Sequence, residues 1–277
     1  MSLHEQVAAL MRDVANDVVT PRFRTLLDHE IADKGAGEIV TCADHEAEAA
    51  LREGLAPILS SARIVGEEAC SADPALLDGI GKGLVWLVDP LDGTANFAAG
   101  RQPFGMMIAL VEDGLPRAGW ILDPVSGRLC TAIQGEGAFV DGVQVKARGS
   151  HAPRPIASLG TQFMAPAQRG AIHAEAARLF DLEPIPRCAA ESYARLVLGR
   201  NDTALFQRIL PWDHAAGILF LTEAGGVATH WDGEPFRVGS PSPGVLLGHS
   251  AQTHALMSNA LSPLLLDDLV RPEPQTA

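Results

Sequence analysis

The sequence contains few cysteines, and none of them belongs to a paired motif. The four cysteines, Cys42, Cys70, Cys130 and Cys188, are widely spaced and form no C-x-x-C pair. Such spacing is typical of reduced intracellular thiols rather than of a zinc site or a disulfide framework. The cysteine content therefore favours a cytoplasmic protein without cross-links.

Positive charge is also scarce, since 21 lysines and arginines stand against 34 aspartates and glutamates, giving a formal net charge of −13. A surface of this sign repels phosphate backbones and anionic lipids. We therefore expect neither a nucleic-acid nor a membrane partner. An anionic substrate would need cations or backbone amides in its binding site.

Long hydrophobic runs are missing as well. The longest apolar stretch, around residues 215–221, is too short to span a bilayer, and Glu5, Asp13 and Asp17 interrupt any signal-peptide pattern. What the sequence does have is a hydrophobic fraction of 47% in 277 residues, enough for a sizeable core. We expect a globular protein in the cytoplasm.

The spacing of apolar residues predicts mixed α and β structure. Ser2 and Glu5 fit a capping box before an amphipathic helix, and Thr20-Pro21 is expected to end that helix. A Pro-containing stretch at 151–155 is expected to be a linker between an N-terminal α+β sub-domain, 1–148, and a C-terminal α/β sub-domain, 149–277. Further helices are predicted near 44–58, 213–224 and 253–269, and strands at 63–65, 84–88, 106–111, 118–122 and 129–133.

The most informative segment follows the apolar strand 84–88, which runs directly into Asp89 and Asp92. In α/β proteins, strand ends of this kind face the ligand crevice. Two close carboxylates repel each other unless a cation lies between them, and oxygen ligands suit Mg²⁺. The amides of Gly93 and Thr94 would form an anion site at a helix start. The alternative is a turn in which both aspartates only cap the helix.

Two further acidic segments have the same ambiguity. Glu67 and Glu68 follow a short apolar strand, and two acids in a solvated loop would be the simpler interpretation. Asp213 begins an apolar helix, where capping is the ordinary role of an aspartate. Its neighbour His214 is expected to be a partly exposed residue of the first turn rather than a metal ligand, because Mg²⁺ prefers oxygen.

Together these segments resemble the inositol monophosphatase family, which belongs to the Mg²⁺-dependent, lithium-sensitive phosphatases that include fructose-1,6-bisphosphatase. The resemblance covers nearly the whole chain. It implies a mixed α/β fold, the layered αβαβα sandwich of that family, and a homodimer. The matching stretches are residues 40–44, 64–68, 86–97, 212–217 and 222–226.

The resemblance implies two to three Mg²⁺ ions per active site. Glu67, Asp89 and the carbonyl of Leu91 would hold one ion. Asp89, Asp92 and Asp213 would hold a second, with Asp89 bridging the two. A third, weaker ion would depend on Glu67 and water.

The resemblance also implies the groups that act on water and phosphate. Thr94 and Asp44 match the pair that, with Glu67, activates the attacking water, and the amides of Gly93 and Thr94 match the phosphate site. Lys34 stands near a family lysine, but its spacing to Asp44 is one residue shorter than expected, which leaves its role open.

The implied activity is hydrolysis of inositol-1-phosphate or a related small phosphomonoester, the reaction of an inositol-phosphate phosphatase. Inositol-preferring members carry a glutamate seven residues before the last metal aspartate, where this chain has Phe206. That ring either packs in the core or lines the pocket. Glu191 and Ser192 fall where the family's other substrate contacts lie. Arg208 favours a substrate with a second anionic or carbonyl group, so histidinol phosphate, sugar phosphates and nucleotide 3′-phosphates are alternatives.

Three other protein classes share part of this acidic pattern. A phosphatase of the haloacid dehalogenase type needs two aspartates two positions apart, whereas Asp89 and Asp92 are three apart. An EF-hand loop needs a ligand at its third position, where Leu91 stands. A non-catalytic binding module on the same fold stays open, and release of phosphate with Mg²⁺ would separate it from an enzyme.

Overall fold

The computed structural model describes residues 1–35 and 38–270, with side chains up to residue 266. The predicted capping box is confirmed, because the Ser2 hydroxyl accepts the amide of Glu5 and the Glu5 carboxylate accepts the amide of Ser2. The first helix runs past Thr20 to Arg22 through a π-helical turn at Ala15–Val19. Pro21 lies in a new first turn, where no backbone N–H is needed, so it does not end the helix.

The predicted helices are present with slightly different ends. The second helix begins at Cys42, two residues before the predicted start, because Thr41 caps it. No helix in the described part of the chain is long and apolar enough to cross a membrane. The helices are α1 (Leu3–Val14), α2 (Thr20–Arg22), α3 (Cys42–Ile58), α4 (Glu67–Ala72), α5 (Thr94–Ala98), α6 (Pro166–Leu179), α7 (Ala189–Val197), α8 (Pro211–Glu223) and α9 (Ala251–Val270).

The larger sheet has seven strands in the order β3-β4-β5-β6-β7-β8-β9. Its first pair is parallel and the rest are antiparallel. A separate hairpin, β1 (Ile31–Gly35) and β2 (Glu38–Thr41), precedes it. The strands are β3 (Arg63–Gly66), β4 (Leu84–Asp92), β5 (Gly105–Glu112), β6 (Leu115–Leu122), β7 (Leu129–Ile133), β8 (Gly137–Val140) and β9 (Val143–Val145).

The second sheet has five strands in the order β11-β10-β12-β14-β13. Its strand β10 is parallel to both β11 and β12, whereas β14 is antiparallel to its two neighbours. These strands are β10 (Ile156–Gly160), β11 (Asp181–Glu183), β12 (Thr203–Phe206), β13 (Val227–His230) and β14 (Val245–Gly248).

The helices cover and separate the two sheets in five layers. Helices α1 and α3 pack on one face of the larger sheet around Trp86 and Trp120. Helices α7 and α8 fill the space between the sheets, with Tyr193 and Leu219 in a core shared by both. Helices α6 and α9 cover the outer face of the second sheet around Met257. This order confirms the αβαβα layering implied by the resemblance.

The predicted linker lies in irregular chain between the last strand of the first sheet and the first strand of the second. Helices α7 and α8 belong to the C-terminal half, yet they bury apolar residues against the larger sheet as well as their own. The proposed sub-domains 1–148 and 149–277 therefore share one central helical layer, and the division between them stays a prediction.

Packing of this central layer leaves no room for a side chain at Gly217. A Cβ there would lie 2.0 Å from Cδ2 of Tyr193, whose ring is fully buried and whose hydroxyl hydrogen-bonds Nδ1 of His214 at 2.8 Å. We expect Gly217→Ala to lower the free energy of unfolding by about 1–3 kcal/mol, measured by urea denaturation.

The matched control is Gly170→Ala in α6, where the glycine is exposed and a Cβ meets nothing within 4 Å. Because alanine favours a helix over glycine, this change is expected to raise the free energy of unfolding by about 0.5–1 kcal/mol. A Gly217→Ala protein as stable as Gly170→Ala would contradict the packing described here.

Candidate active site

Three carboxylates from three different elements meet at one point. Glu67, Asp89 and Asp213 each offer an oxygen, and these atoms all lie within 4.8 Å of one another. Strands β3 and β4 are parallel neighbours with Gly66 opposite Val88. Glu67 and Asp89 are the next residues after this pair, so they lie next to each other at the carboxyl end of β3. Asp213 comes from the first turn of α8. The arrangement brings together three of the predicted metal ligands.

Asp92 lines the same pocket and is held from the other side. Its Oδ2 accepts the amide of Ala190 at 2.7 Å and the thiol of Cys188 at 3.0 Å. Strand β4 continues through Asp92, with an irregularity between Asp89 and Asp92, and Gly93 then turns the chain at a φ of 85°. The chain therefore turns at Gly93, after both carboxylates, and α5 begins at Thr94, where a helix start was predicted.

The electrostatics of this cluster favour a cation. Burial, followed by the negative charges of Glu67, Asp92 and Asp213, raises the pKa of Asp89 well above its usual value. The pKa of Asp213 is raised in the same way, by burial and by Glu67 and Asp92. Burial also raises the pKa of Glu67 to about 7, although Lys34 opposes the shift. Carboxyls in this state bind either protons or a metal ion.

Thr94 and Asp44 lie side by side although they are far apart in the sequence. The Thr94 hydroxyl lies 2.9 Å from Oδ1 of Asp44 and 2.9 Å from the carbonyl oxygen of Leu91. Oδ2 of Asp44 accepts the amide and the hydroxyl of Thr41 at the start of α3. Burial raises the pKa of Asp44 to about 6 against these hydrogen bonds. The predicted catalytic pair is thus in contact.

Lys34 extends from the β1–β2 hairpin to the edge of the acidic cluster. Its ammonium donates to Glu68 at 2.6 Å and to Glu67 at 3.3 Å. Glu48, which the sequence analysis did not single out, accepts the amides of Glu68 and Ala69 at 2.7 and 3.0 Å. Glu48 therefore fixes the start of α4 and with it Glu67. Its partners are about twenty residues away, so local spacing gave no signal for this role.

The acids line a cavity of about 480 Å³ together with aromatic, polar and cationic side chains. Phe206 satisfies both sequence interpretations, because it lines this cavity and also stacks on Tyr193 with ring centroids 6.2 Å apart. Arg208 forms an ion pair with Glu38, and its guanidinium lies 4.6 Å above the ring of Phe163. Arg187, Phe163, Gln162 and Glu38 also line the cavity, and none was singled out from the sequence.

Glu191 and Ser192, predicted substrate contacts, are not brought to the cavity. The Glu191 carboxylate pairs with Arg128 and Arg195, each at 2.8 Å, and the Ser192 hydroxyl donates to the carbonyl of Cys188. The cavity wall is instead formed one turn earlier, by residues 187–189. Both residues lie in α7, and of that helix only the first residue, Ala189, lines the cavity.

The expectation that His214 is partly exposed is wrong. Its side chain is buried because α8 lies between two sheets, and it bonds the Tyr193 hydroxyl and the carbonyl of Arg208. Burial lowers the pKa of His214 to about 4, so the ring is neutral near pH 7. Bonded at both nitrogens, His214 supports the loop before Asp213 and is not directed at the carboxylates.

Comparisons with known proteins agree with this geometry. The sequence model described as the inositol monophosphatase family matches residues 3–264. An inositol-1-monophosphatase from Bacillus subtilis is 29% identical over 202 residues, covering 72% of this chain and 75% of the relative. The Nus factor SuhB of Escherichia coli K12 is 30% identical over 225 residues, covering 79% of this chain and 82% of SuhB.

A solved structure shares the fold as a whole. Inositol monophosphatase II from Staphylococcus aureus superposes with a TM-score of 0.79 at 25% identity, covering 100% of this chain and 99% of that one. The family match extends over most of the chain, and the acidic segments that carried the sequence resemblance are those that converge in space. The chain belongs to the inositol monophosphatase family.

Proposed function

We propose that this chain is a Mg²⁺-dependent phosphomonoester hydrolase, which releases phosphate from inositol-1-phosphate or a related small phosphomonoester by attack of water. The observation that carries the proposal is the convergence of Glu67, Asp89 and Asp213 within 4.8 Å at one side of an open cavity. A role in capping alone would not require acids from three elements to meet. We further propose a homodimer in the cytoplasm.

The donor set fits a hard divalent cation. The carboxylates of Glu67, Asp89, Asp92 and Asp213 all line the cavity, and so does Leu91, the residue expected to offer a carbonyl. Burial raises the pKa of each of these acids, and at Glu67, Asp89 and Asp213 the charges of neighbouring acids add to the rise, so the group has a strong tendency to bind a cation. When bound, Mg²⁺ lowers the pKa of water and offsets the charge of the phosphate. We propose two to three ions per site.

The residues around the cluster would orient the reacting groups. Asp44 accepts the hydrogen of the Thr94 hydroxyl, which leaves the lone pairs of that oxygen free to accept a hydrogen from water. Glu67 lines the same cavity and lies within reach of the charge of Asp44, and it would accept the proton that the water loses. The amides of Gly93 and Thr94, at the turn that follows Asp92, would bind the phosphate oxygens.

The preferred substrate is a separate question. Phe206 occupies the position where inositol-preferring members carry a glutamate, and a phenyl ring accepts no hydrogen bond from a sugar hydroxyl. We therefore propose that inositol-1-phosphate is hydrolysed without strong preference. Histidinol phosphate, sugar phosphates and nucleotide 3′-phosphates belong in the comparison.

The proposal is tested by measuring phosphate release from this panel with Mg²⁺ and with EDTA. Hydrolysis that requires Mg²⁺ supports it. The absence of turnover for every ester would favour the alternative of a non-catalytic module on this fold. One relative is named Nus factor SuhB and not as a phosphatase, which is the reason to retain this alternative. A preference of a hundredfold or more for inositol-1-phosphate, as kcat/KM, would contradict the inference from Phe206.

Asp89→Asn and Asp213→Asn are each expected to lower kcat by about a hundredfold or more and to weaken the response to Mg²⁺. An amide keeps the shape of the carboxylate but removes the charge that holds a cation. Asp17→Asn, an exposed position in the N-terminal helical segment, is the matched control and should leave kcat unchanged. Near-normal turnover of an active-site variant at moderate Mg²⁺ would remove that residue from the metal site.

Thr94→Ala is expected to lower kcat by about a hundredfold while the Mg²⁺ concentration for half-maximal activity stays nearly constant. The hydroxyl orients water and supplies no charge, so its loss should separate turnover from metal affinity. Thr94→Ser keeps the hydroxyl and should restore most of the rate. A parallel loss of metal affinity in Thr94→Ala would contradict this role.

Mg²⁺ is expected to raise the melting temperature more at about pH 8 than at about pH 5.5. In the metal-free fold the pKa of Glu67 is raised to about 7 and that of Asp44 to about 6. Such groups bind extra protons in the folded state, and the stability they contribute, complete below the unfolded pKa, is lost as the pH rises through the folded pKa. Mg²⁺ would replace those protons.

Thermal unfolding of EDTA-treated and Mg²⁺-loaded protein at both pH values checks this expectation. Asp89→Asn removes one of the repelling charges, so its melting temperature should respond less to Mg²⁺ at the higher pH. An equal rise at both pH values in the wild type would show that the carboxyl cluster does not control metal-linked stability.

A further inference from the structure

Two arginines line the same cavity as the acids. Among the described residues that line the cavity, Arg187 and Arg208 are the arginines, and both ring nitrogens of His214 are already hydrogen-bonded within the protein. Arg208 is already neutralised by Glu38 and covered on one side by Phe163. Arg187 is exposed, and no carboxylate of the described chain pairs with it. Its charge is therefore free to meet a ligand.

The residues on both sides of Arg187 are hydrogen-bonded to the segment that contains Asp92 and Asn96. The Asn96 side chain donates to the carbonyl of Pro186 at 3.0 Å, and the thiol of Cys188 donates to Asp92 at 3.0 Å. A Cβ on Gly93 would lie 3.2 Å from the Cβ of Cys188, so the two chain segments are in contact there. Arg187 thus has a defined position relative to the metal-binding carboxylates.

Arg187 also adopts a backbone conformation that favours glycine. Its φ is 55°, in the left-handed region, where an arginine costs free energy that a glycine would not. In the described part of the chain four other non-glycine residues share a positive φ, namely Arg24, Asp113, Asp141 and His151, but none of these lines the cavity. A strained arginine at the edge of a binding site is a reason to look for a function.

We propose that Arg187 is a specificity-determining residue that binds a second anionic group on the leaving group of the substrate. The proposal rests on the phosphatase function proposed above and narrows its substrate class to small phosphomonoesters that carry an additional carboxylate or phosphate. The acids and bound cations hold the phosphate that is removed. The guanidinium of Arg187, which lines the same cavity and has a planar set of donors, is suited to the second anion.

The first test compares matched substrates that differ in one group. Glycerol 2-phosphate is compared with 2-phosphoglycerate, and inositol 1-phosphate with inositol 1,4-bisphosphate, so that carboxylate and phosphate are tested separately. We expect the wild type to prefer the more anionic member of at least one pair. In Arg187→Gly and Arg187→Gln that preference should fall about tenfold, mainly through KM, while kcat/KM for the less anionic member stays constant.

The variants separate charge from backbone strain. Arg187→Gly removes both, Arg187→Gln removes the charge alone, and Arg187→Lys keeps the charge and should retain part of the preference. Arg24→Gly is the control, because Arg24 also has a left-handed backbone and lies outside the cavity. It should leave the preference unchanged. The wild-type preference should also weaken as salt is raised, because the side chain is exposed.

A binding measurement keeps the test independent of turnover. Calorimetric titration with phosphonoacetate and ethylphosphonate, which differ in a carboxylate replacing a methyl group, should show tighter binding of phosphonoacetate that is lost in Arg187→Gln. If no ester is hydrolysed but this difference persists, the phosphatase proposal fails and the role of Arg187 stands.

Two outcomes overturn the role of Arg187. One is a wild type with no preference within either pair of substrates or the phosphonates. The other is an equal loss for both members of every pair in Arg187→Gln, which would mean that the guanidinium contacts the transferred phosphate and not a second anion.

Discussion

The site depends on holding several buried carboxylates close together, against their mutual repulsion. Asp89, Asp92 and Asp213 have raised pKa values, caused first by burial and, for Asp89 and Asp213, by the charges around them. Burying like charges costs free energy unless protons, hydrogen bonds or a cation compensate. Much of the surrounding structure supplies such compensation, and this is the constraint that orders the centre of the molecule.

Backbone amides provide a large part of this compensation. The amide of Leu91 donates to Asp89, that of Ala190 to Asp92 and that of Thr41 to Asp44. Glu48 does not line the cavity, but it also accepts two backbone amides, those of Glu68 and Ala69 at the start of α4. These hydrogen bonds orient the acids before any cation binds. They do not change the net charge of the cluster, which stays negative when the carboxyls are ionised. Lys34 supplies one positive charge at the edge of the cluster, through its ion pairs with Glu67 and Glu68.

The sequence predicted the elements with local signals and the site residues with a specific motif. The capping box at Ser2, the strand before Asp89 and the helix after Asp213 all follow from spacing within a few residues. It did not predict the burial of His214, because that depends on two sheets enclosing α8. The contact of Glu191 with Arg128 was missed for a similar reason, because Arg128 is 63 residues away, in the turn before β7.

The central helical layer connects core packing with the geometry of the site. Helix α8 contributes Asp213 from its first turn, and the buried residues that follow in the helix pack against both sheets. His214 connects this core to the cavity wall, because its ring is hydrogen-bonded to the Tyr193 hydroxyl at Nδ1 and to the carbonyl of Arg208 at Nε2. A displacement of Tyr193 would therefore move the loop before α8, and with it both Arg208 and the carboxylate of Asp213. Asp213 and Arg208 thus share one support, the buried contact of His214 with Tyr193, so the packing of the core positions both the acid and this part of the cavity wall.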